Sequence, residues 1–157
     1  MALVVKTLKT QLELDWLTPP GGTFPANVTL SADLFASAVA NWFSLAQANG
    51  IPCTTAQVRR PQLSLQVATA FSTGTADAAA QKLASALAAY IQGQLFGAGT
   101  AGAPARTADV ELAFRAIFGD LELSNGDRAQ RLAQACQDLA TSTLVAFPTP
   151  APPAKVE

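Results

Sequence analysis

The stretch "TADAAAQKLASALAAYIQGQLFG", residues 75–97, constrains the fold more than any other part of the chain. Leu83, Leu87, Ile91 and Leu95 recur at every fourth position, which places them in one row on a helix of about 3.6 residues per turn. Thr75 is positioned to cap that helix, and Asp77 lies in its first turn, facing the positive end of the helix dipole. Ala80, Ala84 and Ala88 run beside the large row, and small residues there let a second helix approach closely. A row of four large aliphatics must be buried, so a helix over residues 76–96 is expected at the centre of a helical core.

The flanking segments follow the same period. "ALVVKTLKTQLELDWL" sets Val4/Val5, Leu8, Leu12 and Trp16 at i, i+4 spacing, and "TPPGGTFPAN" stops that helix. Ser31 and Asp33 open a second helix bearing Leu34/Phe35, Val39, Trp42/Phe43 and Leu45/Ala46, with Asn49-Gly50 and Pro52 as its stop. Residues 61–72 read two ways. Leu63, Leu65, Val67, Thr69 and Phe71 alternate as in a strand, while Leu63, Val67 and Phe71 also fit a helix. The absence of a hairpin partner on either side leans towards helix. "GAGTAGAPAR", residues 97–106, is a hinge between two helical halves or a plain connection. Thr107 then caps a helix carrying Val110, Phe114 and Ile117/Phe118. After the turn "SNGD" comes another with Leu132, Cys136, Leu139/Ala140 and Leu144. No internal repeat of 20–50 residues stands out. The expected fold is therefore all-α: a small bundle of about four to five helices over residues 1–147, with extended loops and a proline-rich C-terminal arm over 148–157.

Composition narrows the function classes. Charged residues make up 13% of the chain, against about 25% in an average soluble domain. That suits either an ordinary alanine-rich helical protein or a subunit whose surface is covered by neighbours. The net charge is −1 with no basic stripe, so nucleic acid is not expected as a principal ligand. No uninterrupted apolar run reaches the roughly 18 residues of a membrane span, and no signal peptide is visible, so a chain made in the cytoplasm and independent of membranes is expected.

Catalytic chemistry has little to work with. Histidine is absent, which removes the commonest proton shuttle and any Ser–His or Cys–His pair. Glu13/Asp15, Asp109/Glu111 and Asp120/Glu122 are pairs at i, i+2, positions that diverge on a helix. Cys53 and Cys136 lack metal spacing; they read as buried thiols or, alternatively, as one disulfide. Gly97, Gly99 and Gly102 match a dinucleotide fingerprint but follow a helix and not a strand. Trp16 and Trp42/Phe43 lie on apolar helix faces and read as core. An enzyme is not expected, and neither are a cofactor, a metal or a small-molecule substrate.

"LFASAVANWFSLAQANGI" and "LSLQVATAFSTGTADAAAQKLASALAAYIQ", followed by the Gly/Ala stretch, resemble small alanine-rich proteins encoded among the tail and neck genes of tailed bacteriophages. The likeness spans about residues 1–100 in style. It implies a virion structural component of the tail, baseplate or neck, made in the host cytoplasm, assembled as a ring and handed to the particle. Its partners would be copies of itself and other virion structural proteins. The resemblance carries over no functional residues.

The ending "FPTPAPPAKVE" adds a specific expectation. Prolines lack amide donors and cannot continue a helix or enter a sheet interior, so an ordered tail needs a surface to lie on, either this subunit's own helices or, as the favoured expectation, a neighbouring subunit. Phe147, Pro148, Pro150, Pro152, Pro153 and Lys155 are the expected interaction residues. The competing reading is a soluble helical adaptor or regulator that binds one partner through the 76–96 helix.

Overall fold

The computed structural model describes residues 3–18 and 27–157; the helix stop read in residues 19–26 lies outside them. Helix α1 (Val5–Gln11) runs straight into a π-helical segment, Leu12–Leu17. Then follow α2 (Val28–Phe43), the hairpin β1 (Gln47–Ala48) and β2 (Ile51–Pro52), and α3 (Arg60–Phe71). The order repeats with α4 (Ala76–Ile91), β3 (Leu95–Phe96), β4 (Gly99–Ala101) and α5 (Thr107–Gly119). It begins a third time with α6 (Asn125–Thr141), β5 (Leu144–Ala146) and β6 (Ala154–Lys155).

The chain is thus three copies of one module: long helix, hairpin, short helix. The long helices begin at Val28, Ala76 and Asn125, spacings of 48 and 49 residues. Each is capped by a side chain one residue earlier. Asn27 Oδ1 accepts from the Leu30 amide at 2.8 Å, Thr75 Oγ1 from Ala78 at 3.2 Å, and Ser124 Oγ from Asp127 at 3.1 Å. Ser31, read as the cap of α2, instead lies inside it and accepts a hydrogen bond from Trp16 Nε1 at 2.8 Å. Buried positions keep the same spacing. Phe35, Leu83 and Leu132 correspond, as do Val39, Leu87 and Cys136, and Trp42, Tyr90 and Leu139.

The third short helix comes from the other end of the chain. α3 packs between α2 and α4, and α5 between α4 and α6. α1 and its π-helical continuation pack between α6 and α2, closing the cycle of helices. The buried rows agree: Leu8 and Leu12 stand where α3 has Leu63 and Val67 and α5 has Val110 and Phe114. Five residues separate Ala101 from Thr107, and five would separate Val156 from Val5 if Glu157 were joined to Met1.

The hairpins close a second cycle at the C-terminal ends of the long helices. β3, β4, β5 and β6 form an antiparallel sheet in that order, and β1 pairs with β2. Single bridges, Cys53↔Phe96 and Ala48↔Val156, join these two pieces on both sides. The pair Ala101↔Val145 occupies the equivalent place between β4 and β5. All six of these side chains are buried. The main-chain bonds repeat with them. The amides of Cys53, Ala101 and Val156 donate to the carbonyls of Ala46, Gln94 and Thr143 at 2.9, 2.9 and 3.1 Å. Those of Thr54, Gly102 and Glu157 donate to Leu95, Leu144 and Gln47 at 2.9, 2.9 and 2.8 Å. A closed cycle leaves no free sheet edge among the described residues.

Several expectations change here. The described residues are mostly helical, at 59% with six helices, but the hairpin cap means the fold is not purely all-α. Residues 97–106 carry strand β4, held between β3 and β5, in place of an open hinge. Residues 61–72 are helical: Leu63, Val67 and Ala70 form the buried face, while Leu65 is 72% exposed, which a half-buried strand would not allow. The Leu83–Leu87–Ile91 row is buried as expected, but α4 ends at Ile91 and Leu95 sits partly exposed in β3. The terminus is ordered by its own chain, because Ala154–Glu157 pair with β5 and β1 and Val156 is 1% exposed. The prolines do lack donors, but they stand in the connection before β6; the donors come from Val156 and Glu157.

Two outcomes follow from this double closure. Leu87→Ala should cost about 2–5 kcal/mol and Val156→Ala about 1–3 kcal/mol of unfolding free energy, read by denaturant titration. A Val156→Ala value near zero would mean that the β6–β1 seam contributes nothing. A rearranged chain with Glu157 joined directly to Met1 and new ends opened at Thr73–Gly74, between α3 and α4, should keep its circular dichroism and a cooperative melt. An unfolded product would show that α1 is not the third short helix.

Candidate interaction site

Two places stand out against the threefold pattern, one that breaks it and one on which its equivalent residues converge. The first is the turn of the third hairpin. β1 and β2 are joined by Asn49-Gly50, with φ of 55° and 76°, the type I′ arrangement that matches strand twist. β3 and β4 are joined by Gly97-Ala98, with φ 61° at Gly97. Val145 and Ala154 are paired in the same register, yet eight residues, Ala146–Pro153, connect them where the other hairpins use two.

Five of the six expected interaction residues fall in this connection. Pro148, Pro150, Pro152 and Pro153 are exposed. Phe147 is half-buried: its ring lies over Gly99, where an added Cβ would come within 2.5 Å of Phe147 Cε1 and 2.8 Å of Val145 Cγ1. Glycine at 99 is therefore required by close approach. Lys155 is exposed on β6, across from Leu144. Phe147 and the four prolines thus lie in a surface loop anchored at both ends by β5 and β6, and Lys155 lies in β6 itself.

The second place is a cavity of about 730 Å³ at the opposite end of the helices, next to the N-termini of α2, α4 and α6. Trp16, Phe71 and Phe118 line it, each four residues after equivalent buried positions on the three short helices. Trp16 stacks on Phe71 with ring centroids 5.6 Å apart. Sequence reasoning placed Trp16 in the core and did not find this cavity; the repeat of helix rows is the signal that locates it. Its polar groups are already engaged. Arg128 donates to the carbonyls of Ile117 and Asp120 at 3.3 and 3.1 Å, capping the end of α5. Asn125 donates to Leu17 O at 3.3 Å. Trp42 and Phe43, by contrast, are core residues.

The remaining polar residues serve the fold. Glu13 pairs with Lys9 at 3.2 Å, Asp109 with Arg106 at 3.0 Å and Glu111 with Arg115 at 2.9 Å, all partly exposed. Arg59 donates to Ala89 O at 3.0 Å and to Gln92 O, capping α4. Gln94 is wholly buried; Thr55 Oγ1 donates to its Oε1 at 2.6 Å, and its Nε2 has no partner. Among the described residues no group of three or more His, Cys, Asp or Glu could hold a metal ion. No described helix is long and apolar enough to cross a membrane.

Cys53 and Cys136 are free and buried, not bonded to each other. Burial pushes both thiols up, Cys136 to about 12 from an ordinary 9.0. Buried, protonated thiols are unreactive, so a thiol-labelling reagent at pH 7.5 should modify neither cysteine until denaturant is added. The sign of the pH effect follows. The unfolded thiol ionises first, so stability from Cys136 is full below about pH 9 and declines as pH rises towards about 12. Rapid labelling of the native protein, or an alkaline melt as stable as the neutral one, would contradict this.

No family model, no curated protein and no solved structure matches the chain.

Proposed function

We propose that this chain is a structural subunit of a multi-protein assembly that docks through the Ala146–Pro153 loop. In line with the resemblance noted above, the assembly is the tail, baseplate or neck of a tailed-phage virion. One observation carries the reading: the loop is the exposed feature of the cap that the repeat does not account for. The first two hairpins close with two residues, so eight are not required to build the cap. Four prolines restrict the segment, which also holds a turn closed by the Ala151 amide donating to Pro148 O at 3.2 Å, and a pre-ordered loop loses less conformational entropy on docking. Aromatic Phe147 seats one end of it and Lys155 flanks the other. The adaptor reading is less well supported, because Leu83, Leu87 and Ile91 are buried in the chain's own core and offer no free stripe.

Replacing Ala146–Pro153 by Asn-Gly should leave the helical content and cooperative melt in place, since the first hairpin folds on that turn. The measurement is the presence of the chain in particles sedimented from producing cells. The natural chain should co-sediment and the shortened chain should stay in the supernatant. A natural chain found only as a free monomer, or a shortened chain that enters particles equally well, would overturn the proposal.

A further inference from the structure

We propose that residues 154–157 exchange between copies of this chain, so that β6 of one copy enters the slot between β1 and β5 of another. The slot is defined on both sides. β5 supplies the pairs Leu144↔Lys155 and Val145↔Ala154. β1 supplies the Ala48↔Val156 bridge and two bonds of 2.8 Å between the main chains of Gln47 and Glu157. Val156 is the large side chain that plugs it. Withdrawing β6 would expose two strand edges and an apolar hole, and open edges are templates for pairing. The occupant that satisfies every one of those bonds and the Val156 socket is the same four residues of a second copy.

β6 is not set against its own β5 by a primed two-residue turn, although the connection holds one internal turn bond, from the Ala151 amide to Pro148 O at 3.2 Å. In the first two hairpins a positive-φ turn residue sets the pairing from within: Asn49-Gly50 in one, Gly97 in the other. The third connection has four prolines, whose φ stays near −65° and cannot form a primed two-residue turn. At about 3.1 Å per residue, eight extended residues reach roughly 25 Å, enough to leave the parent module. Exchange of an identical element between protomers preserves every native contact and changes only which chain supplies it. Closure within one chain wins when copies are dilute, because its effective concentration is in the millimolar range. Exchange therefore belongs to copies held side by side. This rests on the assembly reading for its purpose, but the test needs only the purified chain.

Gln47→Cys combined with Glu157→Cys places thiols on directly opposed residues in both the closed and the exchanged forms. The native cysteines are buried and do not compete. The protein is refolded at a series of concentrations, oxidised, and run on a non-reducing gel. Chains linked to each other should increase with concentration, and should be lost when Ala146–Pro153 is replaced by Asn-Gly. Links confined to single chains at every concentration would overturn the proposal, and so would linked dimers undiminished by the short turn. Should the cysteine pair impair folding, isotope-labelled and unlabelled natural chains refolded together give a second reading. Mixed dimers by native mass spectrometry are expected for the eight-residue connection and lost for the two-residue one, and their absence from the natural chain overturns the proposal. Failure here would leave the particle experiment of the preceding subsection untouched.

Discussion

The pair of main-chain hydrogen bonds between Gln47 and Glu157, with Val156 seated against Ala48, completes the cap on which the helices rest. Six strands of two or three residues are too short to be stable as separate hairpins. Closed into a cycle, each gains a partner on both sides. The same cycle finishes the long helices. The carbonyls of Ala46, Gln94 and Thr143, just beyond α2, α4 and α6, accept the amides of Cys53, Ala101 and Val156. Polar groups that would otherwise be unpaired at buried helix ends are thereby satisfied at three equivalent points.

The three modules are alike in burial and unlike in residue. The innermost hairpin position holds Ala48, Phe96 and Val145, all wholly buried. Three phenylalanines could not share that space, so one large ring is accommodated by small partners. Phe96 meets Phe43 edge to face with centroids 6.4 Å apart. The adjacent pairs Trp42-Phe43, Tyr90-Ile91 and Leu139-Ala140 shrink in order around the cycle. Two of the larger side chains also tie modules to their neighbours. Trp42 Nε1 donates to Val4 O at 3.2 Å, and Tyr90 OH to Ala56 O at 2.9 Å.

Helices were legible because their apolar period and their caps are local: Thr75 with Asp77, and the row from Leu83 to Ile91, are readable within a few residues. The strands were not. Two-residue strands carry no alternation to detect, and their stability comes from partners up to 110 residues away, as between the main chains of Gln47 and Glu157 around the cap. For the same reason "GAGTAG" looked like a linker, although Gly99 is fixed by Phe147 from a different module. The repeat was hidden because what recurs is volume class and not identity. "ASA" at 36–38 and 84–86 becomes "AQA" at 133–135, and the third short helix lies at the other end of the chain. The proline run from Pro148 to Pro153 was conspicuous in the sequence, while its place as a hairpin connection depended on a register that only the closed cap reveals.

Pseudo-symmetry also separates features that belong to the fold from those that do not. Leu65 and Leu112 are 72% and 60% exposed, and taken singly either could mark a docking patch. They stand at equivalent positions of α3 and α5, and the third equivalent on α1 is Thr10. Their exposure is therefore a property of the outer side of the short helices, where a leucine and a threonine serve equally well. Three of the four prolines after Phe147 have no counterpart at all, since the other two turns contain no residues beyond the two that close them. A feature repeated with tolerance for substitution is explained by packing. A feature added once, on the surface, at a point where the module is complete without it, is not, and that contrast is why the Ala146–Pro153 connection and not the exposed leucines carries the functional reading.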